Sequence, residues 1–310
     1  MTFTLIQVTA PATTANLGPG YDCLGLALDM WNRLDVSSLA VDAGDKPRVE
    51  IIGEGRGELE TNEENLVYRA MKFLFSEAGQ EMPPVQLKCY NEIPLARGLG
   101  SSAAAIAGGL TAANAICSES FSSNELVEMA ATIEGHPDNV AAAVLGGLQL
   151  VVSAQDRLYT AAINMPPDLG AVLFIPELRI ATADARSVLP EKVTVADAVH
   201  NISRTALLVA GMATNRPEFL GIATEDRLHQ PYREPLFPAM KLLFRAALDA
   251  GALGAFLSGS GSTVLALTQG REMTVAYEMA EAAKQAGVAG RVHITRPTVQ
   301  GAHLVGIPSS

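Results

Sequence analysis

Residues Glu92–Leu110 read EIPLARGLGSSAAAIAGGL, with Pro94, Gly98, Gly100 and the pair Ser101–Ser102 set directly against an alanine-rich run. Glycine lets a backbone approach another molecule closely, and the first turn of a helix offers N–H groups that have no partner inside the helix. With the positive end of the helix dipole added, that combination suits an anion, and phosphate is the first suspect. The hydroxyls of Ser101 and Ser102 are able to cap the helix, hold a phosphate oxygen or ligate Mg²⁺.

Several phosphate-binding patterns compete for this stretch. The Walker A pattern needs a Lys-Ser or Lys-Thr after its last glycine, and none is present. Gly98–Ala103 does match G-x-G-x-x-A, which would make the chain an NAD(P)-binding oxidoreductase. That fingerprint wants its first glycine straight after a strand and an acidic residue about 20 positions on, at the end of the next strand. Here Asn91–Arg97, with Pro94, intervenes, and around Glu119 there is only a helix end and a polar break. The whole run from Pro94 to Ala104, P-x-x-x-G-L-G-S-S-A-A, resembles the phosphate loop of the GHMP kinase superfamily. Two further segments, PATTANLGPGYDCLG (Pro11–Gly25) and EGHPDNVAAAVLGG (Glu134–Gly147), are similar to those of its homoserine kinase family. SGSGSTV (Ser258–Val264) resembles the superfamily's C-terminal glycine motif, so the resemblance runs from residue 11 to residue 264.

The resemblance implies an ATP-dependent phosphotransferase acting on the hydroxyl of L-homoserine, a step towards threonine, with Mg²⁺ as the metal. It assigns ATP to Asn65 and to Pro94, Leu95, Ala96, Arg97, Gly98, Leu99, Gly100, Ser101, Ser102, Ala103 and Ala104, with Tyr68 near the adenine. Read alone, Asn65 and Tyr68 belong to a helix start, with Asn62 as the cap. Mg²⁺ falls to Ser102 and Glu128. Glu128 lies off the apolar stripe of its helix, which by default marks a surface carboxylate, but the family takes its metal-binding glutamate from this helix. Mevalonate and galactose kinases place an aspartate base eleven residues after that glutamate; here the position is Asn139, whose amide accepts no proton. A loose transition state demands little activation of the alcohol, so the resemblance implies direct in-line transfer involving Glu128, Asn139 and Arg186. Asp138 stands open between a helix cap and a catalytic group.

For homoserine itself the resemblance nominates Asn16, Asp22, His136, Thr182, Arg186 and Arg233. Asp22 suits the ammonium group, and the two arginines suit the carboxylate as bidentate forks. A mevalonate-type kinase is the nearest alternative, and Asn139 and the paired arginines count against it. Ser258–Ser262 either approaches the phosphates or forms a tight hairpin.

The elements that must position these residues follow from patterning. The 310-residue chain is 48% hydrophobic with a net charge of −11 and no basic stripe, which argues against nucleic acid as a partner. No run approaches the ~18–20 apolar residues of a membrane span. The start MTFTLIQVTA has no signal-like pattern, and three cysteines without paired spacing suit a reducing, cytoplasmic setting. By the resemblance the expected partners are ATP and L-homoserine, with a homodimer allowed.

Strands are expected at Phe3–Thr9, at Cys23–Met30 and Leu34–Leu39 around a Trp31–Arg33 turn, at Arg48–Ile52 and at Val85–Tyr90. Ala10–Asp22 reads as a small-residue loop. Helices are expected at Glu64–Ala78, stopped by Gly79, at Ser101–Cys117, apolar on nearly every face, and at Asn124–Glu134. Further strands fall at Gly146–Val152 and Ala171–Ile175 and on either side of Ser258–Ser262; helices fall at Val195–Ala213, Pro235–Ala250 and Glu272–Ala286. The composition shifts near Met165–Pro167. The fold class is therefore α+β, with a first domain at 1–165 carrying the phosphate loop and a second at 166–310. By resemblance this is the two-domain GHMP kinase fold, each domain a layered α/β sandwich, the second ferredoxin-like, with the active site in the cleft between them.

Overall fold

The computed structural model describes residues 5–39, 48–155 and 157–305. The chain begins with two long strands, β1 (Ile6–Asn16) and β2 (Gly20–Ser38), followed by β3 (Arg48–Gly53), helix α1 (Leu66–Glu77) and β4 (Val85–Asn91). Three helices come next, α2 (Ser101–Ile116), α3 (Ser123–Glu134) and α4 (Asp138–Leu145), then β5 (Leu148–Ala154) and β6 (Arg157–Ile163). The second half runs β7 (Gly170–Pro176), α5 (Thr182–Ser187), α6 (Val195–Ala213), α7 (Leu220–Ala223), α8 (Gln230–Arg233) and α9 (Met240–Asp249). It closes with β8 (Gly254–Leu257), β9 (Val264–Thr268), α10 (Glu272–Gln285), β10 (Gly290–Thr295) and a short β11 (His303–Leu304).

Among the described residues these strands form two sheets. The first has the order β11-β1-β2-β4-β3, with β5 on β2 and β6 on β5; the second has the order β10-β7-β9-β8. Sheet membership changes between Ile163 and Gly170, and the chain returns to the first sheet at His303–Leu304, beside β1. Among the described residues, only β3 and β4, joined through α1, pair in parallel.

Residue alternation explains the layers. Along β7, Ala171, Leu173 and Ile175 enter the core shared by the two sheets, while Val172 and Phe174 face the core under α9 and α10. Along β9, Leu265 and Leu267 take the first role and Val264 and Ala266 the second. Both faces of this sheet are buried, as period-2 side-chain geometry requires when helices cover one face and a second sheet the other. The third core packs α1–α4 on the first sheet, with α2 at its centre. Burial of α2 on nearly every side bears out its unpatterned apolar run.

The start of the chain departs from expectation. Phe3 and Thr4 lie outside the described residues. Ala10–Asn16 is strand rather than loop, and the expected Trp31–Arg33 turn is internal to β2, which runs unbroken for 19 residues. The register accounts for the false break: Pro11 pairs Trp31 but Ala12 pairs Leu28, so two residues of β2 bulge out. A bulge bends a strand without ending it. Accordingly, Leu24, Leu26 and Leu28 feed the core between the sheets, whereas Leu34 and Val36 feed the core under the helices. The cap of α1 is Asn65, not Asn62: the Asn65 side chain accepts from the Val67 N–H at 3.0 Å, while Asn62 accepts from the Glu64 N–H in the preceding turn. β6 had no period signal because its residues are mostly exposed at the end of the sheet.

Ile106 sits at the fully buried centre of α2. Ile106→Ala should cost about 2–5 kcal/mol of unfolding free energy in a urea titration, by leaving a cavity under the first sheet.

Candidate active site

One cavity of about 470 Å³ gathers most of the residues nominated from sequence. Its floor is the loop Pro94–Ser102, which passes between the two sheets. Gly98 and Gly100 have φ of +72° and +66°. A Cβ at Gly98 would fall 2.0 Å from the Ser258 carbonyl oxygen, and one at Gly100 would fall 1.9 Å from Thr13 Oγ1. No other residue type fits either place. Arg97 anchors the same loop: its Nε donates to the Pro176 carbonyl at 2.6 Å, and its Nη groups donate to the carbonyls of Leu95 and Glu177. The Ile180 N–H donates back to Ala96 O at 3.0 Å.

Gly100 is the N-cap of α2 and supplies no side-chain oxygen, so the first N–H groups of a buried helix open towards the cavity. Ser101 and Ser102 line it, whereas Ala103 and Ala104 point into the core. Of the nominated ATP residues, those two therefore do not line the cavity. On the wall made by α1, β3 and β4, Asn65 joins Asn32, Ile51, Leu59, Val67, Cys89 and Leu95 in a largely apolar recess. Burial pushes the Cys89 thiol up to about 12. Tyr68 does not line the cavity.

The Ser102 hydroxyl donates a short hydrogen bond to Glu134 Oε1, and both residues line the cavity. Glu134, not Glu128, is the carboxylate that α3 delivers. Six residues at 100° each place Glu128 about 120° around the helix axis from Glu134, so one helix cannot aim both at one point. Glu128 is exposed and lies outside the cavity. The eleven-residue spacing to Asn139 misled because α3 ends at Glu134 and Gly135, with φ +88°, turns the chain at once into His136. The adjacency of Glu134 to the His-Pro-Asp-Asn run was the available signal. Burial raises the Glu134 carboxyl above its usual range, opposed by the Ser102 hydrogen bond and the charge of His136.

Beyond Glu134 lies a connected polar wall. His136 Nδ1 contacts Asp138 Oδ1 at 3.2 Å, and this hydrogen bond raises the imidazole pKa against the lowering effect of burial. Asp138 also accepts from the Asn139 N–H at 2.7 Å, in the first turn of α4. The Thr13 hydroxyl donates to Asn139 Oδ1 at 2.7 Å.

The β1–β2 hairpin and the C-terminal layer supply the remaining wall. Asn16, Leu17 and Asp22 all have positive φ, a strain that clusters at functional sites. Asn16 donates to the Gly259 carbonyl at 3.0 Å and accepts from the Asp22 N–H at 3.0 Å. Asp22 and Arg186 form a bidentate pair at 2.8 and 3.0 Å, and Arg186 Nη1 also donates to the Tyr21 hydroxyl at 2.9 Å. That pairing holds the Arg186 guanidinium above its ordinary pKa. Arg233 is 3% exposed and lies on the cavity, while Thr182 stands near Ser260 at its rim. Gly259 and Ser260 therefore line the site, as well as closing the β8–β9 connection.

A family model described as "GHMP kinases N terminal domain" matches residues 65–147, and one described as "GHMP kinases C terminal" matches 208–289. With both matches, the two-sheet fold is that of a GHMP kinase. The chain is 45% identical over 300 residues to a homoserine kinase of Moorella thermoacetica, covering 96% of this chain and 99% of that protein. It is 42% identical to a homoserine kinase of Synechocystis, covering 96% and 97%. A crystal structure of homoserine kinase from Cytophaga hutchinsonii superposes with a TM-score of 0.88 at 30% identity, over 97% of each chain. This chain belongs to the homoserine kinase family.

The His136–Asp138 contact makes a pH-dependent contribution whose sign is fixed. A raised imidazole pKa stabilises the fold fully below the ordinary 6.5 and loses that contribution as pH rises through the raised value. In protein without nucleotide or metal, NMR should show the His136 ring titrating above 6.5, and Asp138→Asn should bring the midpoint down.

Proposed function

We propose that this protein transfers the γ-phosphoryl group of ATP to the hydroxyl of L-homoserine, giving O-phospho-L-homoserine on the route to threonine. One observation carries the reading. A single cavity combines an uncapped helix start beside a hydroxyl–carboxylate pair with a wall bearing Asp22, Arg186 and Arg233. The first half suits a triphosphate, and the second matches the ammonium and carboxylate of an amino acid.

ATP lies with its base in the recess beside Asn65 and its phosphates over Gly98–Ser102. Ser102 and Glu134 would hold Mg²⁺, since both offer hard oxygen donors and Mg²⁺ is usually bound by one or two carboxylates together with substrate phosphates. Among the described residues no group of three or more His, Cys, Asp or Glu could hold a metal, which suits an ion completed by nucleotide and water. When bound, the ion offsets charge developing on the phosphate oxygens. Homoserine enters by replacing the internal Asp22–Arg186 pair with pairs of its own: its ammonium takes Asp22, and its carboxylate takes Arg186 and Arg233. Asn139, fixed by Thr13, and His136 border the alcohol. Asn139 accepts no proton, so the hydroxyl proton passes to an oxygen of the incoming phosphoryl group as the alcohol oxygen–phosphorus bond forms and the bond to ADP breaks, as a loose transition state permits. The Asp138 carboxylate, already holding the Asn139 N–H and His136, supports a structural role. Free cysteines at 23, 89 and 117 suit a reducing compartment, and we place the protein in the cytoplasm.

ADP release with Mg-ATP should be fastest on homoserine among homoserine, mevalonate, galactose and glycerol; a faster rate on any other alcohol overturns the assignment. Glu134→Gln should lower kcat about 10²-fold or more, whereas Glu128→Gln should stay within about twofold of the parent. The opposite pattern would return the metal to Glu128. Arg233→Met should raise the homoserine KM at least about tenfold while leaving the ATP KM nearly unchanged.

A further inference from the structure

Arg233 is held by three contacts, made through Nε and Nη1 of its guanidinium. Nε donates to the Ala185 carbonyl at 3.1 Å, and Nη1 donates to the Gly259 carbonyl at 2.9 Å and to His229 Nδ1 at 3.0 Å. Nη2 has no partner among the described residues, so it is the edge left for a ligand in the cavity. The His229 contact is the informative one. Nδ1 accepts from Arg233 only if it carries no proton, because Arg233 is always a donor. The other ring nitrogen, Nε2, lies 2.7 Å from the Gly18 carbonyl oxygen, which only accepts. Two fixed neighbours therefore define one tautomer, with the proton on Nε2.

The surroundings keep the ring neutral and in place. His229 is fully buried, and burial pushes its pKa down to about 4. Asp226 Oδ2 is 3.6 Å from Nε2, but its carboxylate already accepts from the N–H groups of Leu228, His229 and Gln230 and from Asn201 Nδ2. So satisfied by four donors, the Asp226 carboxylate makes no demand on the imidazole for a proton. Gly18 admits no other residue, since at φ +86° a Cβ there would fall 2.2 Å from the Thr224 carbonyl oxygen. The Tyr21 ring, 5.3 Å from the imidazole, closes the remaining side.

We propose that His229, locked as the Nε2–H tautomer between Gly18 and Arg233, sets the direction of the Arg233 guanidinium and so the fit of the substrate's carboxylate. His229 does not line the cavity and is a positioning residue. An arginine without such a brace loses more side-chain entropy on binding and presents its fork in more than one direction. The inference rests on the assignment of Arg233 to the homoserine carboxylate, and its test separates the two.

Asparagine and glutamine each reproduce one half of the imidazole: His229→Asn places an acceptor near Nδ1, and His229→Gln places a donor near Nε2. His229→Asn should keep the homoserine KM within about threefold, and His229→Gln should raise it about tenfold or more with the ATP KM unchanged. In an Arg233→Met background the difference between the two substitutions should vanish. A merely structural role would make both variants equally unstable and shift both KM values together. If Arg233→Met leaves the homoserine KM unchanged, the carboxylate assignment falls and this inference falls with it. If Arg233→Met raises that KM but the Asn and Gln variants behave alike, the inference alone is overturned. Ring ¹⁵N NMR on the intact parent protein should show His229 at neutral pH with a bare Nδ1 and a protonated Nε2. The reverse tautomer, or a charged ring, overturns the proposal whether or not the variants fold.

Discussion

A loop that threads between two other backbones sets the geometry of everything around it. Ser258 stands against Gly98 on one side and Thr13 against Gly100 on the other, closer than any side chain allows. The same Ser258 hydroxyl donates to Gly98 O at 2.6 Å and accepts from Thr14 Oγ1 at 2.8 Å, so β1, the Pro94–Ser102 loop and the β8–β9 connection meet at one residue. Together with the Thr13 N–H bond to Leu99 O, these contacts fix the uncapped start of α2 at the cavity. The buried apolar surface of α2 stabilises that position from behind.

Electrostatics divides the cavity. The chain as a whole is acidic, yet the cavity carries two arginines beside Asp22 and faces them across His136 with the Glu134 carboxylate. Asp22 and Arg186 are kept paired, which limits the cost of desolvating their charges. Arg186 is paired directly and half-buried, whereas Arg233 is almost wholly buried and depends on carbonyls and a neutral imidazole. The two arginines therefore differ in kind: one is exchangeable and the other is braced.

Much of the fold was legible in the sequence. The 3.6-residue periodicity of α3, the strong apolar run of α2 and the patterning of α6 and α10 gave helices with ends correct to a residue or two. The strand boundaries at the N-terminus were not legible. A bulge opposite Pro11 and a run of small residues look like turns when only local pattern is available. The phosphate loop, Asp22, Arg186, Arg233 and Asn139 were found by motif, and the structure brings them to one cavity. Glu134 was passed over for Glu128 because a counted spacing assumes a fixed loop length, and here the loop between α3 and α4 is short.

By itself the sequence determined which residue types were present, with glycines where backbones meet, hydroxyls at a helix start and Arg186 and Arg233 among the nominated residues. These follow from local chemistry and from a motif covering many adjacent positions, and both survive without knowledge of the fold. Only the tertiary structure decided which carboxylate of α3 faces Ser102, since that depends on the angle of a helix against the sheet. It alone decided that Ala103 and Ala104 turn inward. It also revealed that His229, more than two hundred residues from Gly18, lies within hydrogen-bond distance of its carbonyl. Contacts of that range are set by packing, and packing leaves no local pattern to read.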